Sequence, residues 1–170
     1  MTLADLSLRP DEVRALYLVH LQQMHSAEHQ LLDALPHLAV SISTSAVRRQ
    51  LLANAAKTPE RVERLEAIFA ALGEVPVGPI CAAMKALVTL STELSVTHPL
   101  GQLRDMLLIS VAKEMKHLGI VKYSMATTFA RTLGHIEQAE ALSQAQQEEV
   151  TVDRELTFFA ENVRLSSNLT

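Results

Sequence analysis

Apolar residues recur at three- and four-residue steps along long stretches of this chain, a period that only helices burying one face can use. The first stripe runs Val13, Tyr17, Leu21, Met24, Glu28, Leu31, Leu35 and Leu38. Pro10 opens it, with Asp11 and Glu12 behind, because proline is tolerated at a first helical position and acids suit the positive dipole end. Pro36 falls near its far end and predicts a kink or a stop. Ser43, Thr44 and Ser45 then offer N-caps for a second stripe, Val47, Leu51, Ala55, Thr58, Val62, Leu65, Phe69 and Leu72. Pro59 predicts a bend within it, and Gly73 a C-terminal stop.

The pattern breaks at Glu74-Val75-Pro76-Val77-Gly78-Pro79. A shorter apolar helix is expected from Cys81 to about Leu94. Thr97-His98-Pro99 opens another long helix, with Leu103, Leu107, Ser110, Glu114, His117, Val121 and Ser124 read as its inner face and Gly134 as its end. The last helix starts near Ile136 and places Leu142, Ala145, Glu149, Val152, Leu156, Phe159 and Val163 inward. Two tight hairpins are thus joined by a connection of about 25 residues carrying its own helix, which is the ferritin-like, all-α variant of the up-down four-helix bundle. Residues 1–170 are expected to form one domain.

Composition agrees with helices and narrows the partners. The chain has no Trp, four Phe and two Tyr, so the core is aliphatic. A net charge of −4 and the absence of a basic stripe argue against nucleic acid. One cysteine, Cys81, suits a reducing cytoplasm. Met1-Thr2-Leu3-Ala4-Asp5 has no signal-peptide pattern, and no apolar run is long enough for a membrane span.

Three polar residues interrupt the stripes: Glu28, His117 and Glu149. Glu28 and His117 lie equally far into their helices from Pro10 and Pro99, and the hairpin turns bring Ala55–Thr58 and Glu149 to the same level. A carboxylate–histidine layer across four helices is how such bundles hold two iron or manganese ions.

Ser26-Ala27-Glu28-His29-Gln30-Leu31-Leu32, Val62-Glu63-Arg64-Leu65-Glu66 and the linker from Gly73 to Leu87 (GEVPVGPICAAMKAL) carry a resemblance. They are similar to the S-A-E-x-Q-L, V-E-R-L-E and G-x-x-P-x-G…C-x-A-M-x-G-L segments of the bacterial YciE/YciF ferritin-like stress protein family. The resemblance covers nearly the whole chain and implies a ferritin-like bundle, dimeric, linked to stress responses and without a settled activity. It carries over Glu28, His117 and one of Glu148 or Glu149 as metal ligands. The family's acidic H-L-E-E-T-E is here Asn54-Ala55-Ala56-Lys57-Thr58-Pro59, and its E-H-Y-E is Lys116-His117-Leu118-Gly119. Two divalent ions need several carboxylates, and this layer lacks them.

Two readings of the layer follow. In one, Lys57 and Lys116 replace the metal and form a buried ion-pair network with Glu28 and Glu149. In the other, Glu28, Glu114, His117 and Glu149 hold iron or manganese, Glu114 and His117 forming a Glu-x-x-His step. The corresponding functions are a non-catalytic or weakly metal-binding homodimer with no cofactor, and an oxidoreductase acting on peroxide or oxygen. A protein-interaction adaptor is a third.

His25-Ser26-Ala27-Glu28-His29 also matches the H-x-x-E-H pattern of one zinc-peptidase group, with Glu28 as base, although no downstream acid stands out as a third ligand. His20, His37, His98 and His135 are expected at the surface or in turns. Cys81 is read as a small buried residue, and Met84, Met106, Met115 and Met125 as core or interface filler. Tyr17 and Tyr123 are expected to point their hydroxyls toward solvent rather than into the polar layer.

Overall fold

The computed structural model describes residues 7–162. Five helices follow in order: α1 (Pro10–Val40), α2 (Ser45–Leu72), α3 (Ala82–Thr97), α4 (Gln102–Thr132) and α5 (Ile136–Glu161). The long helices α1, α2, α5 and α4 form a ring in which each packs on two neighbours, and α3 lies outside against α1 and α4. Ser43 meets Asp105 while Tyr123 meets Glu28, so α1 and α4 run antiparallel. Gln50 meets Glu155 while Arg64 meets Glu148, so α2 and α5 do likewise. The crossover therefore returns the chain from one end of the bundle to the other. Val163, read above as inward, lies outside the described residues.

The α1 stripe buries as its spacing requires, every member from Val13 to Leu38 included. Pro36 neither stops α1, which runs on to Val40, nor does Pro59 stop α2. Each removes only one backbone donor, and packing of the apolar face holds the helix through it. Gly73 closes α2 in the left-handed conformation (φ 68), with Glu74 N–H returning to the Phe69 carbonyl. Gly134 (φ 79) likewise falls after α4.

Two boundaries differ from expectation. α3 extends a turn beyond Leu94, because His98 precedes Pro99 and only there is the chain forced into extended backbone (φ −117, ψ 135). α4 consequently begins at Gln102, not at Pro99.

The inner face of α4 is the largest correction. Leu108, Ile109, Val111, Ala112, Met115, Lys116, Tyr123, Ala126 and Ala130 point inward, whereas Leu103, Ser110, Glu114, His117 and Val121 are exposed. The true stripe is displaced by about one position. Its own polar members, Asp105, Lys116, Lys122 and Tyr123, disguise it as a solvent face.

The linker binds α1 along one polar track. Gln22 Nε2 donates to the Val77 carbonyl (2.8 Å), Ser26 Oγ accepts from Cys81 N–H (2.9 Å), and Gln30 Nε2 donates to the Cys81 carbonyl (3.2 Å). These side chains are spaced four apart, so a single helix face serves all three. A side chain at Gly78 would collide with Gln22, its Cβ falling 2.6 Å from the Gln22 Cβ. Cys81 is buried, as expected of it, and Met84 packs beside it.

Asp105 fastens the α1–α2 turn. Its carboxylate accepts from the Ser43 N–H (2.7 Å), Ser43 Oγ (2.7 Å), Thr44 N–H (2.8 Å) and Thr44 Oγ1 (2.6 Å). Burial alone would lift this carboxyl, but the bonds from Thr44 and Ser43 together hold it below the usual carboxylate range. A depressed carboxyl stabilises the fold above its unfolded pKa and loses that contribution as pH falls through the folded value. Asp105→Asn, which turns donors against donors, is expected to cost about 2 kcal/mol at neutral pH. Urea titrations should also show the variant losing less stability than the parent below about pH 4. Equal acid sensitivity in both proteins would refute this role.

Candidate functional site

Two apolar clusters fill the bundle, one toward the Ser43 end (Leu31, Leu35, Leu38, Leu51, Leu108, Leu156) and one toward the other end (Tyr17, Leu21, Leu65, Phe69, Leu142). Between them lies the polar layer. Glu28 from α1, Arg61 from α2, Lys116 and Tyr123 from α4 and Glu149 from α5 are each at most 3% exposed. Charges so placed are tolerated only if fully partnered.

The partnering is close to complete. Arg61 Nε donates to Glu28 Oε2 (3.1 Å), and the Tyr123 hydroxyl donates to Glu28 Oε1 (2.8 Å). Lys116 Nζ lies 2.9 Å from Glu149 Oε2 and 3.1 Å from Oε1. Arg61 Nη2 bridges the two halves, 3.6 Å from Glu149 Oε1 and bonded to Thr58 Oγ1 at 3.0 Å and Asn54 Oδ1 at 3.4 Å. Two carboxylates thus face two cations. Burial lifts the Glu28 carboxyl, opposed by Arg61, while the nearby Glu149 adds to the lift. Burial works against the Arg61 charge, yet Glu28 and Glu149 outweigh it and raise the guanidinium further. Tyr123 is raised by burial and by the Glu28 charge, so its phenol keeps its proton and donates.

Of the ligands considered from sequence, Glu28 and Glu149 meet in this layer, and Glu114 and His117 do not. His117 has a side chain 64% exposed and contacts Asp153 (3.1 Å), which also holds Lys113. Glu114 is exposed. Both follow from the displaced face of α4, which puts Lys116 inside where His117 had been placed. Of the two proposed replacement cations, Lys116 is buried on Glu149, while Lys57 is exposed beside a groove of about 280 Å³ between α2 and α5. Arg61 takes the inward position instead. It was legible in spacing, three residues after Thr58 and four before Leu65, but its charge argued for the surface.

Neither tyrosine reaches for solvent. Tyr123 bonds Glu28, and Tyr17 is fully buried with its hydroxyl on Gln138 Oε1 (2.9 Å). Glu28 points into the bundle and so is unavailable as a base beside His25 and His29, which removes the peptidase reading of the H-x-x-E-H segment.

A pair of iron or manganese ions does not fit this donor set. Each carboxylate is already held by a fixed cation, and only about 10 Å³ remains beside them, room for one water. Gly119 is part of the exchange: a Cβ there would lie 2.9 Å from Glu149 Oε2, so the carboxylate occupies space that a side chain would fill.

The family model described as Domain of unknown function (DUF892) matches residues 12–167. Protein YciF of Escherichia coli (strain K12) is 29% identical over 143 residues, covering 84% of this chain and 86% of that protein. The crystal structure of the Escherichia coli stress protein YciF matches with a TM-score of 0.84 at 27% identity, over 88% of this chain and 95% of the other. Dps from Thermosynechococcus elongatus matches with a TM-score of 0.69 at 15% identity, over 95% and 99% of the two chains, and shares the fold alone. The bundle is ferritin-like, as its crossover suggested. Among the described residues, no helix is long and apolar enough to cross a membrane.

Proposed function

The chain belongs to the family described as Domain of unknown function (DUF892), and on that premise we propose that it is a non-catalytic, stress-associated cytoplasmic protein of YciE/YciF type that acts as a homodimer. The observation that carries the reading is the pair of buried cations, Arg61 and Lys116, seated on Glu28 and Glu149. Fixed positive charge there does the neutralising that a metal would otherwise do, and it repels an incoming divalent ion. The stress association follows the similarity to the Escherichia coli stress protein YciF.

Dimerisation is supported by exposed apolar side chains concentrated along the crossover: Val75, Val77, Ile80, Leu90, Val96 and Leu100. α3 itself buries only Met84 and Ser91. Covering such residues is the usual use of an apolar surface rimmed by polar groups.

The test is metal analysis of the tag-free protein offered iron and manganese without oxygen, together with sedimentation. Iron and manganese should both be retained well below one equivalent, and the protein should sediment as a dimer. Near two equivalents of either metal would overturn the metal-free centre. A monomer would assign the apolar crossover to a different protein partner.

A further inference from the structure

Outside the polar layer, His25 and His29 of α1 converge with Glu66 of α2 on one point of the surface, their ligand atoms all within 4.8 Å of one another. The His25 and His29 Nε2 atoms are 3.1 Å apart, and His25 Nε2 lies 3.4 Å from Glu66 Oε1. A ring nitrogen makes one hydrogen bond along its single in-plane direction, yet His25 Nε2 faces the His29 nitrogen and the Glu66 carboxylate at once. Two ligands about 2.1 Å from a tetrahedral ion stand about 3.4 Å apart, so both spacings already match an edge of that tetrahedron.

We propose that His25, His29 and Glu66 form a mononuclear site for a late first-row divalent cation, zinc being the type, bridging α1 and α2. Each ligand is placed by the fold. His25 and His29 share a helix face one turn apart. The His25 ring stands edge-on to Phe69 (6.1 Å, 80°), and the His29 ring edge-on to His25 (4.4 Å, 66°). The His25 side chain is 13% exposed against 49% for Glu66, so the site has a packed floor and an open mouth.

The donor chemistry fits the same class of ion. Imidazole pairs with a carboxylate suit zinc, nickel and copper better than magnesium or calcium, which take oxygen ligands. Three protein ligands leave the fourth tetrahedral position to water. Asp33, one turn beyond His29, and Glu63, one turn before Glu66, are exposed acids on the same two helices and offset the ion's remaining charge. Neither Arg61 nor Lys116 contacts this cluster, so it escapes the repulsion that excludes metal from the core.

The experiment is calorimetric titration of the tag-free full-length chain with zinc chloride, paired with cobalt(II) binding followed by visible absorption. The expected result is one equivalent of zinc and the intense spectrum of tetrahedral cobalt. His29→Ala and Glu66→Gln, both at exposed positions, should each weaken zinc binding by at least about tenfold. His117→Ala should leave it unchanged. Absence of binding up to millimolar zinc would overturn the site, as would binding that survives both ligand variants. An equal loss in His117→Ala would also overturn it. Because the readouts are zinc and cobalt and the ligands lie outside the bundle centre, the outcome is independent of whether iron or manganese enters that centre.

Discussion

Arg61→Met is expected to lower the free energy of unfolding by about 3–5 kcal/mol, the cost of leaving a buried charge without its partner. Methionine nearly preserves the volume, so the loss is not that of a cavity. It arises because Glu28 keeps only the Tyr123 hydroxyl and because Glu149 loses its second cation. Asn54 Oδ1 and Thr58 Oγ1 lose their donor as well. Lys57→Met serves as the control, because an exposed lysine should move stability by less than about 0.5 kcal/mol. Urea unfolding of the two variants decides the matter, and equal effects would show that the buried pair has no special energetic role.

The second expected result is a large coupling between Lys116 and Glu149. Lys116→Met alone leaves Glu149 only the longer 3.6 Å contact to Arg61 and should cost about 3 kcal/mol, and Glu149→Leu alone strands Lys116 at a similar cost. Combined, the two substitutions remove both charges and fill the space with apolar atoms, leaving Glu28 and Arg61 as a balanced pair. The double variant is therefore expected within about 1 kcal/mol of the parent, or above it. A double-mutant cycle from urea unfolding reads the coupling directly. Costs that simply add would mean that the pair is not the partnership its 2.9 Å separation describes. A double variant more stable than the parent would mean that desolvating the two charges costs more than their attraction returns.

These expectations depend on which residues turn inward, and sequence disclosed that unevenly. In α1 the buried set from Val13 through Leu38 was readable because Glu28 alone interrupts an apolar stripe. In α5 the stripe from Leu142 through Leu156 was readable for the same reason, with Glu149 the single charge. In α2, Asn54 and Arg61 fall inward at helical spacing but look like surface residues. In α4 the inner face carries Asp105, Lys116, Lys122 and Tyr123, so the hydrophobic period pointed to the wrong side and placed His117 in the layer, where Lys116 entered only through the ion-pair reading. The surface cluster was half legible: His25 and His29 stand one turn apart on α1, whereas Glu66 is 37 residues further along the chain and joins them only through packing of α2.

Helix number, the crossover and the level of the polar layer are local or counting properties, written in apolar period, in Gly placement and in segment length. These the amino-acid order determined by itself. The rotation of each helix about its own axis is a different kind of quantity, because it maximises the summed apolar burial of all four helices at once. A charge that looks costly on one helix becomes acceptable when its counter-charge arrives from another. Tertiary structure alone decided that Arg61, and not Lys57, joins Lys116 in the centre of this bundle, and that a glutamate from α2 completes the histidine pair on its surface.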